Sequence, residues 1–215
     1  MGTAAETSVI SREVRCTSSI LVDASVSHDA VLPSPAPGGQ TQDGTGEPHP
    51  MPNADDMLEL AASRTEALAA PGLSPKPRRK VAVLSCMDTR IDLFPMLGLE
   101  RGDAHIIRNA GGLATDDAIR SLSVSQRLLG TDEIVVVMHE GCGLHGASED
   151  EYRQALAAAG VMPSWRLGAF DDIDETLRHS LARLRTSPEL SAHDHIRGFV
   201  FDPEDGTLRE VAAND

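Results

Sequence analysis

Val81-Ala82-Val83-Leu84-Ser85-Cys86-Met87-Asp88-Thr89-Arg90 decides how the rest of the chain is read. Its first residues form the continuous apolar run of a buried strand. The run delivers a cysteine, a carboxylate and a guanidinium at alternate positions. Side chains two apart in an extended segment share a side, so Cys86, Asp88 and Arg90 are expected to face one point beyond the strand's C-terminal end. In open α/β sheets that end is where ligands bind. A second run, Ile134-Val135-Val136-Val137-Met138, leads into His139-Glu140-Gly141-Cys142-Gly143. Two strand ends thus offer two thiols, one imidazole, one carboxylate and one guanidinium to the same rim.

Working outward, strands alternate with helical segments. Asn53 or Asp55 is placed to cap a helix running to about Ala70, which Pro71-Gly72 ends. A basic, proline-broken linker, Ser74–Lys80, reads as a solvated lead into the first strand. A short helical stretch over Ile91–Leu97 closes at Gly98, and His105–Asn109 is the next strand. Thr115 reads as an N-cap, with Asp116 and Asp117 in the first turn where negative charge suits the helix dipole. Ile119, Leu122, Gln126 and Leu129 then share a face. After the third strand, Ser148–Glu151 opens a helix to about Ala159. Asp171 to about Arg185 is the last helix, and Ile196–Phe201 pairs with Leu208–Val211 across the turn at Asp202–Gly206. The alternation predicts an α/β fold, a central, mostly parallel sheet flanked by helices and covered on both faces.

Residues 1–52 read as a disordered tail. Ser, Thr, Gly and Pro are frequent there, and Leu32-Pro33-Ser34-Pro35-Ala36-Pro37-Gly38-Gly39-Gln40 holds no regular element. The working domain is expected to span 53–215. Cys16, in the tail, reads as a spare thiol.

Composition narrows the function classes. Hydrophobic residues make up 40% of the 215-residue chain but aromatics only 3%, which suits an aliphatic core. The net charge of -14, from 33 acidic against 19 basic residues, argues against nucleic acid or an anionic membrane as partner. No apolar run approaches the roughly 20 residues of a membrane helix, and no secretory signal is visible, so a cytoplasmic location is expected. Three cysteines at 16, 86 and 142 suggest no disulfide framework. With His139 near Cys142, metal binding or catalysis is the intracellular reading.

Zinc takes thiolate and imidazole ligands tetrahedrally, and three protein ligands with one open position mark a catalytic site. Cys86, His139 and Cys142 supply two sulfurs and one nitrogen. His-x-x-Cys alone is a weak signal, as is Cys-x-Asp-x-Arg alone. Both at strand ends, separated by one strand-Gly-Gly-helix unit, are stronger. Asp88 and Arg90 read either as a strand-end salt bridge or as a dyad serving the site. Gly111 and Gly112 read either as lining a narrow substrate pocket or as tight loop packing. His145 reads as a solvated loop histidine or a proton relay.

Cys86-Met87-Asp88-Thr89-Arg90, then Arg108-Asn109-Ala110-Gly111-Gly112, then His139-Glu140-Gly141-Cys142-Gly143, resemble the signature of the beta-class carbonic anhydrases, most closely their short bacterial members. The resemblance covers about Asn53 to the C-terminus. It implies zinc on Cys86, His139 and Cys142, with Asp88 and Arg90 as paired acid and base. It implies reversible hydration of carbon dioxide to bicarbonate and a proton, by attack of zinc-bound hydroxide. It also implies a homodimer, or a higher homo-oligomer, whose N-terminal helix embraces the partner. In some members the acid equivalent to Asp88 binds zinc as a fourth ligand and closes the site. The sequence departs from plant-type members in lacking their Gln-Phe-Tyr pocket set. Two rival readings stand beside this one. One is a zinc hydrolase of carbonyl sulfide or carbon disulfide on the same scaffold. The other is a non-enzymatic zinc or redox-sensing module, against which the Asp88–Arg90 dyad argues.

Overall fold

A computed structural model describes residues 54–212. The expected tail, with Cys16 and the cap residue Asn53, lies outside the described residues. In chain order the elements are α1 (Ala54–Ser63), α2 (Thr65–Leu68), β1 (Val81–Cys86), α3 (Leu93–Leu97), β2 (Ala104–Asn109), a 3-10 turn (Ala110–Gly112), α4 (Asp116–Arg127), β3 (Glu133–His139), α5 (Glu149–Ala158), α6 (Ile173–Thr186), β4 (Ile196–Phe201) and β5 (Leu208–Val211). The single helix expected to run to about Ala70 is two helices that break at Arg64.

The strands form one five-stranded sheet in the order β2-β1-β3-β4-β5. β1 pairs in parallel with β2 and β3, β3 pairs in parallel with β4, and β5 is antiparallel to β4. Local chemistry sets the helix starts. Thr115 caps α4 by accepting from the Ala118 N–H, Ser148 caps α5 through Glu151, and Asp172 caps α6 through Glu175.

The central strands β1 and β3 are buried on both faces, as expected, and the two longest helices, α4 and α6, lie on the same one. Register runs Gly198–Val136–Leu84–Ile107 across four strands, so these residues share a side. A Cβ on Gly198 would stand 2.8 Å from Leu181 of α6, so this side meets α6. His105, two residues before Ile107, bonds Ser125 of α4 on the same side. Right-handed crossovers explain the arrangement. The steps β2→β3 and β3→β4 move the same way across the sheet, so α4 and α6 fall on the same face. Leu84, Leu122, Leu177, Leu181 and Leu184 fill the space between, none more than 1% exposed. Each contributes about 1.5–3 kcal/mol on burial. β4 shows the contrast: Ile196, Gly198 and Val200 are buried, whereas Arg197 is exposed on the other side.

Candidate metal centre

β1 and β3 are adjacent and parallel, so their C-terminal ends emerge side by side. Cys86 is the last residue of β1 and His139 the last of β3. Cys142 follows in the turn after β3. The sequence-predicted triad is thereby brought together. All three side chains are buried, and their donor atoms lie within 4.8 Å of one another. The two Sγ atoms are 4.0 Å apart. This is the only such buried Cys/His/Asp/Glu group among the described residues.

The triad has the right chemistry for a metal ion. His139 Nδ1 donates to the Glu140 carbonyl at 3.0 Å, since a carbonyl can only accept. That leaves Nε2 as the ring atom with the free lone pair. Nε2 is buried and has no hydrogen-bond partner. An orphaned buried acceptor costs about 1–3 kcal/mol, and a metal ion is the partner its position invites, its tautomer already fixed from behind. The sulfurs are also primed. Cys142, first, and then His139 and the backbone N–H groups of Asp88 and Gly111, hold Cys86 far below the ordinary thiol range. The same contact with Cys86 pushes Cys142 up, as expected when two adjacent sulfurs share one proton. Two thiolates and a neutral imidazole form a borderline-soft donor set that suits zinc.

Asp88 and Arg90 reach this point by a route the sequence does not suggest. The strand ends at Cys86, so the alternation expected through Arg90 does not continue. A turn closed by Ile91 N–H to Asp88 O at 3.2 Å folds Arg90 back onto Asp88. Oδ1 accepts from the Arg90 backbone N–H at 2.9 Å and from Nε at 3.0 Å, and Oδ2 accepts from a terminal guanidinium nitrogen at 2.9 Å. The same nitrogen donates to the Gly141 carbonyl at 2.9 Å, tying the dyad to the turn that carries Cys142. Arg90 holds the Asp88 carboxyl down at about 2. Oδ2 stands 3.8 Å from His139 Nε2, beside the point where the three donors converge. Asp88 is therefore engaged with Arg90 here, with one edge facing the centre.

The two glycines sit behind the site. Gly112 has φ +67°, and a Cβ there would meet Cys86 N at 2.9 Å and Val137 O at 3.1 Å. Gly111 is buried and directs its N–H at Cys86. A Cβ on Gly111 would meet Leu144 at 3.0 Å and Leu113 at 3.2 Å, so both glycines are closely packed. His145 Nε2 donates to the Asp171 carbonyl at 3.0 Å and its ring stacks on Phe170. Arg108, quoted within a motif but given no role, donates to the carbonyls of Cys86 and Asp88.

A family profile described as carbonic anhydrase matches residues 81–197. A relative named beta-carbonic anhydrase 1, from Mycobacterium tuberculosis, is 41% identical over 158 residues, spanning 73% of this chain and 96% of its own length. The chain belongs to the beta-class carbonic anhydrase family. A solved carbonic anhydrase from Streptococcus mutans shares the fold with a TM-score of 0.68 at 38% identity, over 74% of this chain and 96% of that one. The family also reaches a carbon disulfide hydrolase from Acidithiobacillus thiooxidans, 36% identical over 152 residues, which span 61% of this chain and 76% of that protein. All three motifs of the beta-class reading fall inside the matched region, and it is their residues that converge at the ends of β1 and β3.

Proposed function

We propose that this beta-class carbonic anhydrase hydrates carbon dioxide reversibly to bicarbonate and a proton, with zinc held by Cys86, His139 and Cys142. The observation that carries the reading is the buried, unpartnered Nε2 of His139 aimed at two sulfurs, with the Asp88 carboxylate beside it. Zinc in such a site supplies a Lewis acid that acidifies a water molecule, giving a nucleophile at neutral pH. The chain's own residues do the rest. Cys86 and Cys142 bring negative charge to the ligand set, and the Glu140 carbonyl keeps His139 in the Nε2-accepting tautomer. Asp88, with its carboxyl at about 2, is too weak a base to remove a proton from water unaided. It serves as a fixed acceptor, taking a hydrogen bond from the attacking water so that the oxygen lone pair points at the substrate carbon. Arg90 keeps Asp88 ionised and oriented through a bidentate, charge-assisted pair.

Wider assignments belong to the same reading. The working domain spans 53–215, without the tail. The protein acts as a homodimer or higher homo-oligomer: α1 buries none of its residues within the protomer, leaving Met57, Leu58 and Leu60 for a partner. Two reduced cysteines at the centre suit a cytoplasmic location. No helix among the described residues is long and apolar enough to cross a membrane. Stopped-flow hydration of carbon dioxide, run beside carbon disulfide and carbonyl sulfide, tests the assignment. Carbon dioxide is expected to be the preferred substrate by a wide margin. Turnover of the sulfur compounds alone would move the chain to the hydrolase branch.

A further inference from the structure

Arg108 is the penultimate residue of β2 and lies opposite Ser85 in the parallel register. By alternation it projects from the face opposite to His105, away from α4. Its Nε donates to the Cys86 carbonyl at 2.8 Å and a terminal nitrogen to the Asp88 carbonyl at 2.6 Å. These two carbonyls flank Met87, a residue that is 65% exposed and gives the segment little packing anchor. The bonds between Arg90 and the Asp88 carboxylate close within one turn and travel with it if it moves. At its far end the turn is anchored by Ile91, buried in the core; the hydrogen bonds that tie the segment before it to the rest of the protein are Met87 N–H to Asn109 O, Arg90 to Gly141 O, and the two bonds from Arg108.

We infer that Arg108 is a positioning residue for Asp88: its guanidinium grips the carbonyls on either side of Met87 and fixes the direction from which the carboxylate meets the reaction centre. A planar fork suits the task, because two donors on one rigid group set both the separation and the twist of two carbonyls. Lysine offers a point charge instead. Cys86 needs this brace less than Asp88 does, since β1 is paired on both sides, with β2 through Cys86 and with β3 through Ser85. Removing Arg108 therefore frees Asp88 and leaves the metal ligands in place. The inference rests on the proposed function for its consequence in rate, but not for its structural content.

The test compares zinc-loaded wild type with Arg108→Gln, Arg108→Lys, Asp88→Asn and the double variant Asp88→Asn/Arg108→Gln. Arg108→Gln should keep one equivalent of zinc and lose about 10- to 100-fold in kcat and kcat/KM together, with Arg108→Lys in between. Arg108→Gln should cost almost nothing further when Asp88 is already Asn. Amide hydrogen exchange gives a readout independent of turnover. The Met87 amide, which bonds Asn109 O outside the turn at 2.9 Å, should exchange about tenfold faster in Arg108→Gln, while those of Val81–Leu84 keep their rates. Arg108→Lys carries the same comparisons if the Gln variant does not fold. Unchanged exchange at Met87, an equal loss of rate in both Asp88 backgrounds, or loss of zinc would each overturn the inference. A wild type inactive on carbon dioxide but showing the expected exchange pattern would overturn the functional reading and leave the positioning role standing.

Discussion

The Asp88 carboxylate accepts three hydrogen bonds from Arg90, two of them from the guanidinium and one from the backbone N–H. Three donors within one turn keep the carboxyl at about 2 and its oxygens in a fixed plane. An anion held this way accepts hydrogen bonds and donates none. The dyad is thus a preorganised acceptor beside the metal centre.

Asp88→Asn should bind zinc normally and lose about 10²–10³-fold in kcat, the usual cost of one preorganised polar contact. Arg90→Ala should also keep zinc. Without Arg90 the Asp88 carboxyl returns toward its ordinary value near 3.9, which still leaves it ionised at neutral pH. The deficit should therefore be positional and the ratio of wild-type to variant rate flat between about pH 6 and 9. A ratio that changes steeply over that range would show that Arg90 acts on a titration instead.

Gly112→Ala should destabilise the protein and weaken metal retention. The new Cβ would meet main-chain atoms of Cys86 and Val137 at a left-handed φ of +67°, and backbone at two strand ends cannot step aside. A cost of about 1–3 kcal/mol or more is expected. Gly143→Ala, where a Cβ meets nothing within 4 Å, is the control and should stay within about 0.5 kcal/mol of wild type. Denaturant midpoints and zinc stoichiometry of the two variants check this.

Acid should loosen the linker that feeds β1. Asp103 is buried and accepts from the Glu100 N–H and from Arg78, with Arg79 nearby, which lowers its carboxyl below the ordinary value. A folded-state value below the unfolded one stabilises the protein above the unfolded value, near 3.9, and that contribution is lost as pH falls through the folded value. Asp103→Asn should therefore melt lower than wild type at neutral pH, with the gap narrowing on acidification below about pH 4. Parallel melts from neutral to acid read this directly. A gap that widens toward acid would reverse the sign.

The domain boundary is open to a simple truncation. A chain beginning at Met51 should fold, dimerise and retain zinc and activity, because the composition before it does not support a core. Loss of solubility or activity on truncation would make the tail part of the working domain.

The ends of β1 and β3 were legible because unbroken aliphatic runs stop there and reactive residues follow. Thr115 was legible as a cap because two acidic residues follow it. The Asp88–Arg90 turn was not, since alternate spacing fits an extended segment as well as a turn that folds back. Nor was the one-sided placement of α4 and α6, which depends on the strand order β2-β1-β3-β4 and not on any one residue pattern. Arg108 was invisible for a related reason. Its partners are main-chain carbonyls brought within reach by the β1–β2 register, and carbonyls leave no mark on a sequence. Gly111-Gly112 did signal close backbone approach, but what they approach emerged only with the fold.

The most direct test of the central claim is the rate of carbon dioxide hydration as zinc is titrated into metal-free protein, with Cys86→Ala, His139→Ala and Cys142→Ala measured alongside. The expected result is activity rising linearly to one equivalent of zinc per chain, with each variant failing to retain the ion and remaining at the uncatalysed rate. Full zinc occupancy with no hydration, or one equivalent of zinc retained in Cys86→Ala or Cys142→Ala, would contradict the account.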